Sequence, residues 1–159
     1  MRIVVLSDTH GSIDNSILKI SQLKDVDIII HLGDNVKDAI NLKEKLGIEV
    51  IYVKGNCDFL GEKSDEEKII SLNNKKFFIT HGHLYDVKKD MNKIFYRGKE
   101  LGANVILFGH SHVPTVVKYE DILLLNPGSP TKPRIGSNKS IGLIEIKNDH
   151  IEGEILALE

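Results

Sequence analysis

The chain has 159 residues, 41% of them hydrophobic and 28% charged, with a formal net charge of −2. One domain of that length can bury a sizeable core, the balance excludes a disordered chain, and there is no global basic field to hold nucleic acid or an anionic membrane. Cys57 is the only cysteine, which excludes an internal disulfide and suits a reducing compartment.

Taken in order, short β-branched runs recur at Ile3 to Leu6, Val26 to Ile30, Val50 to Val53, Phe77 to Ile79 and Val105 to Phe108. Each is too short for a helix and apolar enough for a strand buried on both faces. Between them Ile13, Ile17, Ile20 and Leu23 fall at helical spacing, with Asp14 as expected N-cap. Val36, Ile40 and Leu46 mark a second helix closed by Gly47, and Met91, Ile94, Tyr96 and Leu101 a third from Lys88 to Gly102. Strands alternating with helices imply a largely parallel sheet. The last third changes character: Val113 to Tyr119, Ile122 to Asn126, Ser140 to Ile146 and Ile151 to Leu156 read as antiparallel strands joined by turn residues. The expectation is an α/β fold, a two-sheet sandwich flanked by helices, as a single domain over 1–159. The charged stretch Gly61 to Lys68 reads as an exposed loop.

The chemistry lies in the residues just past the end of each of the first five strands: Asp8-Thr9-His10, Gly33-Asp34-Asn35, Gly55-Asn56-Cys57-Asp58, His81-Gly82-His83 and Gly109-His110-Ser111-His112. Carboxyl ends of parallel strands share one sheet edge, where ligands bind. Of the 7 histidines only His31 and His150 fall outside these clusters. Imidazole, carboxylate and carboxamide make a mixed nitrogen and oxygen ligand set, which suits a transition metal and not a thiolate zinc site. In extended chain, alternate side chains point the same way, so Asp8 with His10, and His110 with His112, are expected to face one pocket. Asp8, His10, Asp34, Asn56, His81, His110 and His112 exceed the needs of one ion that keeps room for water. Two ions sharing a carboxylate fit better, with Asp34 the natural bridge. His31, inside an apolar strand, reads as a hydrogen-bonded core histidine, and His150 as solvated. Lys88-Lys89 and Arg134 read as solvated surface.

The ordered set Asp8-x-His10, Gly33-Asp34, Gly55-Asn56, His81 and Gly109-His110-x-His112 resembles the calcineurin-like metallophosphoesterase superfamily, and within it the small prokaryotic phosphodiesterase branch (YfcE-like). The resemblance runs from residue 3 to about residue 135 and implies the four-layer αββα fold. It also implies that Asp8, His10 and His112 hold one metal, that Asn56, His81 and His110 hold the other, and that Asp34 bridges them. The family's usual Gly-Asn-His-Asp/Glu pattern departs here to Gly55-Asn56-Cys57-Asp58, so that Cys57 stands where a histidine is thought to contact phosphate and help protonate the leaving group. A thiol with reference pKa near 8.5 supplies no cation at neutral pH.

The expected function is therefore a phosphodiesterase using a hydroxide held between two divalent ions. Cys57 and Asp58 are its expected catalytic residues, and Asn35 and His83 line the substrate pocket. Manganese is the first choice of metal, with Ni, Fe, Co or Zn also compatible. The expected partner is a small phosphoester, not a membrane or nucleic acid, and self-association into a homo-oligomer stays open. The location expected is cytoplasmic, because the N-terminus offers no secretory pattern. Two alternatives remain: a phosphomonoesterase or nucleotide-directed phosphatase on the same site, and a non-catalytic interaction scaffold of the same fold, such as the retromer relative.

Overall fold

A computed structural model describes residues 1–59 and 63–159 of the chain. Its strands are β1 (Arg2–Leu6), β2 (Ile28–His31), β3 (Val50–Tyr52), β4 (Glu67–Leu72), β5 (Lys75–Thr80), β6 (Val105–Leu107), β7 (Thr115–Tyr119), β8 (Ile122–Asn126), β9 (Ser140–Lys147) and β10 (His150–Ala157). Helices α1 (Asp14–Gln22), α2 (Val36–Leu46) and α3 (Asn92–Glu100), with a 3-10 turn at His83–Tyr85, complete the described elements. The strands form two mixed five-stranded sheets, ordered β10-β9-β1-β2-β3 and β4-β5-β6-β8-β7.

The period of two in each strand explains the layers. Ile3, Val5, Ile28 and Ile30 point to the inside of the sandwich, where they meet Phe77, Ile79, Val105, Leu107, Leu123 and Leu125 of the second sheet. Val4, Leu6 and Ile29 point the other way, onto Ile13, Ile20, Ala39 and Leu42 of the segments around α1 and α2. Phe78, Ile106 and Leu124 cover the outer face of the second sheet together with Ile94 and Phe95 of α3. The four layers are helix, sheet, sheet and helix. A fully buried aliphatic side chain contributes about 1.5–3 kcal/mol, so strands lined on both faces read as unbroken apolar runs.

Three expectations need correction. The parallel strands do not form one sheet: β1, β2 and β3 run parallel in one, β5, β6 and β8 in the other. The sequence hides β4, because an edge strand with Ile69 52% exposed shows only a weak apolar pattern. Glu67 and Lys68, expected in a loop, begin that strand; Gly61 and Glu62 of the same expected loop lie outside the described residues. Asp14 is the first residue of α1, not its cap, which is Ile13. Gly47 does end α2 with φ 67°, in the left-handed region that glycine adopts freely. Among the described residues no helix is long and apolar enough to cross a membrane.

Candidate metal centre

The ends of β1, β2 and β3 meet the ends of β5 and β6 at one edge of the sandwich, and hydrogen bonds between backbone and side chain lock the two sets together. The amide of His110 donates to Asp8 Oδ2 at 3.0 Å, and His81 Nδ1 donates to the carbonyl of Leu32 at 2.8 Å. Both contacts join one sheet to the other. Close approach at this seam requires glycine: a Cβ on Gly109 would collide with Ser7 Oγ and lie 2.8 Å from Asp8 Oδ2.

The site residues are not in extended chain. Asp8, His10, Asp34, Asn35, His110 and His112 all have φ between 46° and 100°, the left-handed region that non-glycine residues rarely adopt and that costs of order 1–3 kcal/mol each. The pairs Asp8 with His10 and His110 with His112 are thus aimed by turns and not, as expected, by strand alternation.

Five of the expected ligands gather into two groups that could each hold an ion: Asp8, His10 and His112, and Asp8, Asp34 and His81. Asp8 is common to both. Its Oδ1 lies 3.1 Å from His112 Nε2 and 3.8 Å from His81 Nε2. Asp34 also reaches two ways, with Oδ1 3.3 Å from His81 Nε2 and Oδ2 4.0 Å from His10 Nε2. Asp8 Oδ1, His10 Nε2 and His81 Nε2 are buried and make no hydrogen bond. A native protein seldom leaves such atoms unsatisfied, and a cation placed among them would satisfy all three, so the residues fit a metal. The imidazoles are prepared for it. His81 and His112 each donate from Nδ1 to a carbonyl, that of Leu32 at 2.8 Å and that of Lys132 at 2.7 Å. A carbonyl can only accept, so a proton sits on Nδ1 and Nε2 is the ring atom left facing inward, able to bind a cation once it holds no proton itself.

The electrostatics agree. Burial alone would raise the pKa of Asp8 and of Asp34, yet the neighbouring imidazoles, His112 and His81 for Asp8 and His81 for Asp34, hold both carboxyls below the usual range, and the carboxylates in turn raise His81, against its burial, and His112, so that a proton on Nε2 and a metal ion compete for the same place. His110 is pushed down to about 4 by burial and by His81, so it is neutral at neutral pH. His110 belongs to neither ligand group but meets the His81 ring edge-on, with centroids 5.1 Å apart. Asn56 is exposed, and its amide contacts Cys57 Sγ at 3.5 Å. His83 stands with its ring 5.4 Å from that of His81. Its Nδ1 is buried without a partner. Burial and Asp34 push the Cys57 thiol up to about 11, so it carries a proton at neutral pH.

Asp58, expected beside Cys57 as a catalytic group, has both carboxylate oxygens engaged by backbone. They accept from the amides of Asp34 at 2.9 Å, Asn35 at 2.8 Å, Val36 at 2.8 Å and Gly55 at 2.7 Å. The helix α2, whose N-cap Asn35 makes no side-chain capping bond, receives its cap from another strand end. This is the geometry of a clamp that fixes where Asp34 points. Other supports are invisible in the sequence motifs. Asn126 Nδ2 donates to the Gly109 carbonyl at 3.0 Å and to Ser111 Oγ at 2.9 Å, and Ser129 Oγ donates to the Asp8 carbonyl at 2.8 Å. The available signal was a polar Asn126 closing the run Ile-Leu-Leu-Leu, where an expected plain turn begins. Buried His31 accepts from the Gly33 amide at Nδ1, 3.2 Å away, and so donates from Nε2 to Thr9 Oγ1 at 3.0 Å. It is the hydrogen-bonded core histidine expected. His150 is exposed beside Glu152.

Residues 1–149 match the model of the Calcineurin-like phosphoesterase superfamily domain. The chain is 34% identical over 151 residues to the Probable metallophosphoesterase YsnB of Bacillus subtilis, covering 94% of this chain and 86% of that protein. It is 32% identical over 146 residues to Phosphodiesterase MJ0936 of Methanocaldococcus jannaschii, covering 80% and 83%. Among solved structures, a predicted phosphoesterase from Streptococcus pneumoniae superposes with a TM-score of 0.81 at 32% identity, over 98% of this chain and 88% of that one.

Proposed function

This chain belongs to the calcineurin-like phosphoesterase superfamily and is a metallophosphoesterase, and from that premise we propose that it hydrolyses phosphodiester bonds at a centre of two divalent transition-metal ions. The observation that carries the reading is a pair of carboxylates that each reach two ways. Two ligand groups meet at Asp8, and Asp34 reaches toward His10 with one oxygen and His81 with the other. Asp8, His10 and His112 would hold one ion, and His81, His110 and Asn56 the other, with Asp34 between them. When bound, two such ions supply a nucleophilic hydroxide at neutral pH and neutralise the phosphate. Manganese is the first choice, and the nitrogen and oxygen donors also suit Fe, Co, Ni or Zn, among which availability decides.

The chain's own residues do the rest. His81 and His112 keep Nε2 aimed inward because carbonyls hold their Nδ1 protons. Asp58 acts as a positioning residue through four backbone amides. Cys57, protonated beside Asp34, is the group able to hand a proton to the leaving oxygen, while Asn35 and His83 line the substrate space. The preference for diesters rests on the relative named a phosphodiesterase. The test is turnover of a paired model diester and monoester by protein loaded with Mn, Ni, Zn or Mg, against a chelated control. Faster monoester turnover would overturn the preference. Asp34→Asn should lower turnover at least about 100-fold, because even residues that only support a ligand cost ~10–100-fold. Near-normal turnover in that variant would overturn the two-ion centre.

A further inference from the structure

A cleft of about 370 Å3 opens over the His10 and Asp34 end of the centre, within the ~300–1,000 Å3 range of small-molecule sites. His10, Asp34, Asn35, Cys57 and Asp58 make its floor polar. One large apolar side chain breaks that pattern: Phe59, 76% exposed. A single exposed apolar residue means little by itself. Its surroundings give it meaning. The residue before it is Asp58, which four backbone amides hold in place, so Phe59 leaves from a fixed point of the chain.

Lys37 and Lys132 line the same cleft. Among the described residues neither forms an ion pair with Asp34 or Asp58, the carboxylates lining the same cleft. Both stand on anchored backbone. Lys37 is the second residue of α2, whose start Asp58 clamps. The amide of Lys132 donates to Ser129 Oγ at 2.9 Å, and its carbonyl accepts from His112 Nδ1. A chain with net charge −2 thus leaves two ammoniums and one aromatic face beside a centre read as taking a phosphoryl group. An alkyl arm gains little from such a wall. A planar ring joined to phosphate gains stacking from Phe59 and charge from the lysines.

Resting on the function proposed above, we propose that Phe59, Lys37 and Lys132 form a specificity subsite that selects phosphodiesters with a nucleoside arm. Phe59 stacks on the base, and the lysines add positive charge that attracts the phosphate from outside the centre. The test is calorimetric titration of manganese-loaded protein with the non-hydrolysable methylenephosphonate analogues of adenosine 5′-monophosphate and ribose 5-phosphate, which differ by the base alone. The base should tighten binding about tenfold. Phe59→Ala should reduce that advantage to within about twofold, whereas Phe59→Trp keeps it. Lys37→Gln and Lys132→Gln should weaken both analogues by similar factors and flatten the salt dependence of binding. Equal affinities for the two analogues in the unaltered protein, or an unchanged ratio in Phe59→Ala, would overturn the subsite. A protein that hydrolyses no phosphoester would sink the proposed function while leaving the affinity ratio readable. One that hydrolyses diesters with no preference for the base would sink only the subsite.

Discussion

At the scale of single residues, Cys57 and His31 make opposite uses of burial and charge. Cys57 is a neutral thiol held near 11, able to give a proton but not to bring a positive charge. Its removal should matter in proportion to how badly the leaving group needs protonation. Cys57→Ala should lower kcat/KM for an alkyl leaving group about 10–100-fold and for p-nitrophenolate by much less, and Cys57→His should favour the alkyl substrate. Equal losses on both would leave Cys57 no role in proton transfer. His31 is fully buried and pushed down to about 4 by that burial, against 6.5 for the unfolded chain. Between those values the unfolded chain binds a proton that the folded chain refuses. The stability is therefore complete above about pH 6.5 and is lost as pH falls toward 4. The loss is on the order of 3 kcal/mol at ~1.4 kcal/mol per pKa unit. Urea unfolding of the chelated protein at pH 7.5 and pH 4.5, beside His31→Gln, measures it; parallel losses in both proteins would refute the assignment.

At the scale of elements, the strand-end turns carry the site and Asp58 carries the turns. A carboxylate accepting four amides resembles a helix cap extended over two loops. Asp58→Ala strands those donors in a partly buried place, at a cost of at least about 2 kcal/mol. For a domain of this size that lowers Tm by about 4–8 °C. Because Asp34 then loses its fixed direction, manganese affinity should fall as well. A variant with unchanged Tm and metal affinity would mean the clamp does not position Asp34. Motif reading made Asp58 catalytic, since a motif names a residue without saying which way its side chain turns. It also missed β4, whose alternating exposed residues look like a polar loop when no partner strand is in view.

At the scale of the whole molecule, the centre is a joint between two sheets. Asp8, His10 and Asp34 come from one, His81 and His112 from the other. An ion held among them ties the sheets together and binds the folded chain alone. Metal at about 100 times its Kd should add about 2.7 kcal/mol of stability, raising Tm by about 5–10 °C. Thermal unfolding with manganese and with chelator reads the shift, and Asp8→Ala should abolish it. A midpoint indifferent to metal would argue against ligands contributed from both sheets.

The sequence alone determined the chemistry and the layering. Donor types after each strand and the resemblance they carry were enough for a metallophosphoesterase, because ligand identity is a property of side chains in order. The change from strands alternating with helices to strands joined by short turns was enough for a two-sheet sandwich with helices outside, because crossover and hairpin connections build different kinds of sheet. Only the tertiary structure decided that the five strand ends belong to two sheets and that Asp8 is common to both ligand groups. It also decided that left-handed turns aim the ligands, and that Asp58, Asn126 and Ser129 brace them. Those facts depend on contacts between residues far apart in the chain, such as Ser129 with Asp8, and a one-dimensional pattern holds no record of which distant backbone groups will need a partner.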